Sequence, residues 1–348
     1  MRKTRNIFAL SILLTVLCTG CSAETPLSKN TKSEEQFFAM DTYMTLTAYG
    51  TKAEDGLAKA KQAILDVEQE FSATDDESAV YHLNESAGEE TAVSEELFAV
   101  TKKALEIGEQ SGGAFDITMY PVLKLWGFTT GEYQVPKEEE LSAQLAKTGY
   151  GKIKLNEEKR TITLPDGMEV DYGGIAKGYS GDRAIEELKS SGVESAILSL
   201  GGNIATLGSK PDGSAWTVAI TDPEDTQNYF AALQVRDKAV VTSGGYERYF
   251  TDDDGNRWCH ILNPDTGYPA DSGLLSVTVI GSSGEVCDAL STTLFVLGME
   301  KATDYWKTYG GFEMVLMTDE HEIYATCGLR DSFALTGDYK GKEIHYIE

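Results

Sequence analysis

Residues 171–178 read Asp-Tyr-Gly-Gly-Ile-Ala-Lys-Gly. They set a carboxylate, two glycines and a lysine at the mouth of a helical pattern. Bare backbone N–H groups at a helix start, next to a positive side chain, suit a phosphate. A second segment, Asp288-Ala-Leu-Ser-Thr292, spaces a carboxylate and a hydroxyl one helical turn apart, with Ser291 between them. Side chains at that spacing point the same way, and oxygen donors of this kind suit a hard cation. A carboxylate inside the apolar stretch 286–297 is costly to bury without a cation or a donor. Together the segments predict a metal-assisted site for a phosphorylated ligand. Each also has a plainer use. A glycine pair before a helix makes a turn, and a helical hydroxyl commonly bonds to the carbonyl one turn back.

Three further corners carry chemistry-bearing residues. Leu198-Ser-Leu-Gly-Gly-Asn203 and Thr242-Ser-Gly-Gly-Tyr246 are strand ends that break on glycine pairs. His260-Ile-Leu-Asn-Pro-Asp-Thr-Gly-Tyr-Pro269 places a proton-transfer group beside a rigid loop. Gly112-Gly-Ala-Phe-Asp116 offers a carboxylate that either accepts from a base or ribose or caps a turn. The dinucleotide fingerprint Gly-x-Gly-x-x-Gly is absent. The four histidines include no pair with metal spacing, which argues against a zinc site.

The elements that must position these residues follow from periodicity. Apolar residues recur at helical spacing over 53–71, 94–110, 138–146, 175–190, 284–297 and 301–309. Strands are predicted over 38–48, 195–200, 216–220, 231–235, 239–242, 248–251, 257–261, 275–280, 313–317 and 322–326. A hairpin is expected from 152–155 and 161–164. Strand runs mixed with helix runs predict an α+β fold rather than a doubly wound sheet.

The N-terminus reads as a lipoprotein signal peptide over 1–20, basic at Arg2, Lys3 and Arg5 and then apolar, ending before Cys21 as the lipidated residue. Residues 21–35 read as a flexible tether, 36–340 as the folded domain and 341–348 as a C-terminal tail. The formal charge of −26 drops by three, to −29, once Arg2, Lys3 and Arg5 are removed. With no basic stripe, nucleic acid is excluded as a partner. The expected location is the cell membrane, lipid-anchored on the extracytoplasmic face. Cys259, Cys287 and Cys327 form no disulfide framework and read as three buried thiols.

Taken in order, the motifs resemble the signature series of the bacterial FAD:protein FMN transferases, the ApbE-type lipoproteins. The resemblance runs from about Phe37 to Tyr339. It rests on Met40-Asp-Thr42, Phe71-Ser72 with Ser78 and Leu83-Asn84, Gly113-Ala-Phe-Asp116, Asp171 to Gly178, Ser199-Leu-Gly-Gly-Asn203, Thr242-Ser-Gly244, His260 to Gly267 and Asp288 to Thr292. It implies an ApbE-like, T-fold-related α+β fold with mixed, largely antiparallel sheets flanked by helices. It further implies FAD as substrate, Mg²⁺ as cofactor, and transfer of FMN to a Ser or Thr of an exported acceptor protein with release of AMP. By the resemblance, the Gly174 carbonyl, Asp288, Ser291 and Thr292 surround the metal. Met40, Ala114, Phe115, Asp116, Asp171, Lys177 and Ile261 line the FAD. His260 or Asp288 takes the acceptor proton, and the residues do not choose between them. Two positions depart from the family pattern. Asp41 stands where glycine is usual, and Thr74 where an aromatic commonly meets the nucleotide. A small polar residue at the latter place also occurs in members that hydrolyse FAD to FMN and AMP, so hydrolysis is the alternative activity. A non-catalytic flavin-binding lipoprotein is the alternative from another class.

Overall fold

The computed structural model describes residues 30–348. The signal peptide, Cys21 and most of the expected tether lie outside the described residues.

A nine-stranded sheet forms the frame. Its order is Lys32–Ala39, Thr42–Tyr49, Ser195–Leu200, Asn203–Gly208, Ala239–Gly244, Leu274–Gly281, Glu313–Thr318, Ile323–Thr326 and Ile344–Ile347. Every neighbouring pair is antiparallel except the last, which is parallel. Seven helices are present among the described residues: α1 (Ala53–Phe71), α2 (Ala79–Glu85), α3 (Glu95–Gln110), α4 (Tyr120–Trp126), α5 (Glu138–Leu145), α6 (Ala176–Ser190) and α7 (Gly284–Tyr309). The α+β reading with largely antiparallel sheets holds.

Strand alternation sends side chains to two separate cores. Val241 and Val279 face the core shared with α7, whereas Val240 and Ile280 face a small sheet of Trp216–Thr221, Tyr229–Val235 and Phe333–Leu335. Helices α1 and α6 pack over the strands nearest the N-terminus, through Leu57, Ile64, Ala184 and Leu188 against Met44, Leu46 and Leu198.

Several expectations are corrected. The strand predicted over 38–48 is two strands, because Met40 and Asp41 both take left-handed backbone (φ 50° and 58°) and fold the chain into a tight hairpin. The first of them starts at Lys32, inside the stretch read as tether. The stretch read as a tail contains Ile344–Ile347, which is bonded into the sheet. The strands predicted over 248–251 and 257–261 exist as a separate short hairpin, Tyr249–Thr251 with Arg257–Cys259. The two helices predicted over 284–297 and 301–309 are the halves of α7, broken at Gly298 (φ 74°, ψ 174°). No disulfide forms among the described residues; Cys259 and Cys287 are buried, while Cys327 is only partly so.

Candidate active site

The corners singled out above meet in one cleft of about 1050 Å³, larger than most small-molecule sites. Met40, Thr74, Ala114, Phe115, Asp116, Asp171, Gly174, Lys177, His260, Ile261, Asp288 and Thr292 all line it. Ser291 does not. It is wholly buried behind the wall, donating to the Asp288 carbonyl at 2.8 Å and lying 2.7 Å from the Ser243 hydroxyl.

Helices α6 and α7 build the wall that carries charge. Gly178 lies where they cross: a Cβ there would stand 2.0 Å from the Gly284 carbonyl oxygen and 2.6 Å from the Asp288 Cβ. Only a glycine permits this approach. It lets the Gly178 N–H donate to Asp288 Oδ2 at 2.8 Å. Asp182, one turn further along α6, receives the N–H groups of Gly284 (2.7 Å) and Glu285 (3.0 Å) and the Ser283 hydroxyl (3.0 Å). One helix thus caps the other and fixes the rotation that aims Asp288 into the cleft.

Asp288 is only 5% exposed. Burial pushes its carboxyl above the usual range, and the nearby Lys177 ammonium and the Gly178 N–H pull it back. Thr292 Oγ1 lies 3.4 Å from the Ser243 hydroxyl, and the Gly174 backbone stands beside it. The donors gathered here are one carboxylate and several neutral oxygens. Among the described residues no cluster of three or more His, Cys, Asp or Glu exists, so no all-protein cage is present. This set fits Mg²⁺, which keeps waters and substrate phosphates among its ligands. Helix α6 starts without a side-chain cap, its first turn holding Lys177. That combination suits an anionic diphosphate.

His260 faces the cleft with Nδ1 3.1 Å from the Arg248 carbonyl oxygen. A carbonyl only accepts, so Nδ1 carries the hydrogen and Nε2 keeps a lone pair. Burial pushes this imidazole down to about 4, which leaves it neutral at ordinary pH. Asp171 accepts from the Gly173 N–H at 3.0 Å, and burial raises its carboxyl while Arg248 lowers it. Asp116 turns out to be a cap. Its carboxylate holds the Thr118 N–H (2.8 Å) and hydroxyl (2.6 Å) and the Tyr150 N–H (3.0 Å), fixing the loop that presents Ala114 and Phe115. Thr74 is exposed at the end of a turn organised by the Ser72 hydroxyl, which accepts from the N–H groups of Thr74 and Asp75.

Asn203, Ser243, Glu247 and Arg248 also line the cleft, although their residue types alone do not mark them. The buried Asn203 side chain faces the Asp288 carboxylate and helps to hold it ionised. Enclosure lifts the Glu247 carboxyl to about 7, against the pull of Lys177; it keeps solvent access at the cleft wall, so water moderates that rise. Asn203 and Ser243 sit inside glycine corners already visible in the sequence, and Glu247 and Arg248 directly follow one.

The fold brings Lys177, at a helix mouth, together with the Asp288 and Thr292 oxygens in one cleft. The chain belongs to the ApbE family, whose sequence profile matches residues 40–316. It is 30% identical over 353 residues to the FAD:protein FMN transferase of Treponema pallidum, covering 95% of this chain and 96% of that protein. It is 36% identical over 261 residues to an FAD:protein FMN transferase of Klebsiella pneumoniae, covering 74% and 80%. Among solved structures, the ApbE protein of Thermotoga maritima matches with a TM-score of 0.77 at 33% identity, covering 84% of this chain and 96% of that one. The flavin transferase ApbE of Vibrio cholerae matches with a TM-score of 0.78 at 27% identity, covering 87% and 99%.

Proposed function

We propose that this protein is an FAD:protein FMN transferase that works with Mg²⁺. The observation that carries the reading is the convergence in one cleft of Lys177 at a helix mouth, the Asp288 and Thr292 oxygens, and a neutral His260. The acceptor's Ser or Thr oxygen attacks the FMN-side phosphorus of FAD. The bond from that phosphorus to the bridging oxygen breaks, and AMP leaves with the oxygen and its electron pair. Mg²⁺, held by Asp288, Thr292 and the Gly174 carbonyl with Ser291 behind them, would neutralise the diphosphate and the charge developing on AMP. Lys177 and the first turn of α6 orient the diphosphate. His260 Nε2 receives the acceptor proton. Asp288 is already engaged, as the charged metal ligand and as acceptor of the Gly178 N–H, which leaves His260 Nε2 the free lone pair. Alignment and fixed charge supply most of the rate.

A second reading is favoured by Thr74. A small exposed residue at the cleft leaves room for water, so Mg²⁺-dependent hydrolysis of FAD to FMN and AMP accompanies transfer. A non-catalytic flavin carrier would give the buried carboxylate of Asp288 no task. The anchor belongs to the same proposal: a lipid on Cys21 holds the enzyme at the extracytoplasmic face of the cell membrane, where exported acceptors are met. The test is AMP release from FAD with Mg²⁺ and after chelation. Release that stops on chelation supports the reading, and release indifferent to Mg²⁺ contradicts it.

A further inference from the structure

A protein acceptor has to bring a hydroxyl to the floor of the cleft, so its chain must cross the rim. One stretch beside the cleft presents paired aromatics at a sheet edge. Lys32–Ala39 is the edge strand of the large sheet, and Phe38 stands directly opposite Tyr43 across the hairpin. Both are exposed, at 67% and 60%. They share the sheet face with Thr45 and Ser199, opposite to the face that buries Met44 and Leu46.

Further along this face, Tyr49 and Ile197 pack under the small three-stranded sheet. Phe38 and Tyr43 belong to no such cluster among the described residues, and the cover stops before it reaches them. What bounds the bare shelf is the cleft itself. Met40, Asp41 and Thr42 of the hairpin turn line the cleft, and so do Thr221 and Thr226 on the facing side. The turn is held in place: the Met40 N–H donates to Glu68 Oε1 at 2.6 Å. The Tyr43 hydroxyl donates to Gln36 at 2.8 Å, so the ring is fixed without being covered. Paired, exposed aromatics on a rigid hairpin are strong anchors for a polypeptide.

We propose that Phe38 and Tyr43 form the docking shelf for the acceptor protein. They hold an extended segment of it by an apolar side chain beside the hydroxyl that enters the cleft. This rests on the transferase reading. The shelf is continuous with the reacting cleft yet contributes nothing to holding FAD, which separates its effect from that of the catalytic residues.

The test uses the full chain with a flavin-acceptor domain that a related transferase modifies, titrated at saturating FAD and Mg²⁺. Phe38→Ser and Tyr43→Ser are both exposed changes that leave the core intact. The expected result is a KM for the acceptor raised about tenfold, with kcat at saturating acceptor and the KM for FAD unchanged. Phe38→Tyr and Tyr43→Phe, which keep the ring, retain the wild-type KM. An acceptor KM unmoved in both serine variants overturns the proposal. A loss of kcat or of FAD affinity in step with KM overturns it as well, since the pair would then serve the fold or the nucleotide. A lowered acceptor KM in the serine variants would give the shelf to the chain's own residues before Asn30. A dimer lost in those variants with KM unmoved would give it to a second copy. Wild-type enzyme that releases AMP from FAD but transfers no flavin sinks the transferase reading itself, and this proposal with it.

Discussion

Asp288 is the residue on which the most depends. A carboxylate this deeply buried is held ionised only by what surrounds it, and Lys177, the Gly178 N–H and the Asn203 side chain offset part of the burial. In the proposed site Mg²⁺ would supply the remainder. Asp288→Ala is therefore expected to lower Mg²⁺-dependent turnover by about a hundredfold or more. Thr292→Ala is expected to lower it by only about tenfold, since water replaces a neutral ligand. Steady-state AMP release at varied Mg²⁺ measures both, and wild-type turnover by Asp288→Ala would end the assignment. Thr74 bears on outcome rather than rate. Water and acceptor compete for the same phosphorus, and a barrier difference of ~1.4 kcal/mol changes the partition tenfold. Thr74→Tyr is expected to lower the hydrolysed fraction, read as free FMN against acceptor-bound flavin with acceptor in excess. An unchanged ratio would remove this position from the choice. At this scale most of the site was legible. Asp171, Lys177, His260 and Asp288 announce themselves by type and by the glycines around them. Asn84 shows the limit. Its amide is buried and clamps Val170 through bonds of 3.0 and 2.7 Å, holding the chain just before Asp171. The sequence marks it as part of a motif, but such a brace depends on contacts far apart in the chain.

Helices α6 and α7 act as a single device. Asp182 caps α7, Gly178 permits the close crossing, and Asp288 is aimed as a result. Gly178→Ala would drive a methyl group into the Gly284 carbonyl. Overpacking of this kind costs about 1–3 kcal/mol. The variant is expected to melt several degrees lower and to need much more Mg²⁺ for half-maximal rate. A melting temperature and Mg²⁺ response equal to wild type would show that the crossing does not set the site. Helices α1, α3, α5, α6 and α7 were readable from their apolar stripes, whereas α2 and α4, of 7 residues each, are too short to carry one and were missed. Strand ends were less legible. The Met40–Asp41 turn was missed because a left-handed pair without glycine carries no turn signal, and the departure at Asp41 marks that very place. The strand Asn203–Gly208 was missed although the glycine pair between it and its partner is itself a hairpin signal. The strand Ile344–Ile347 is too short to mark itself by alternation, and only its parallel partner Ile323–Thr326 reveals it.

At the scale of the whole molecule, a body of strongly negative charge has no electrostatic hold on an anionic membrane, so the proposed membrane attachment rests on the lipid at Cys21. Among the described residues no helix is long and apolar enough to cross a membrane. Cys21→Ala is expected to move the protein from the membrane fraction to the soluble one on fractionation; retention would assign the anchor elsewhere. The central claim is transfer of FMN, and intact mass spectrometry of an acceptor protein incubated with this enzyme, FAD and Mg²⁺ tests it most directly. The account predicts that the acceptor gains one FMN through a phosphoester, lost when its target Ser or Thr is replaced by Ala, with one AMP released per adduct. An acceptor of unchanged mass while FAD is consumed to FMN and AMP would contradict it.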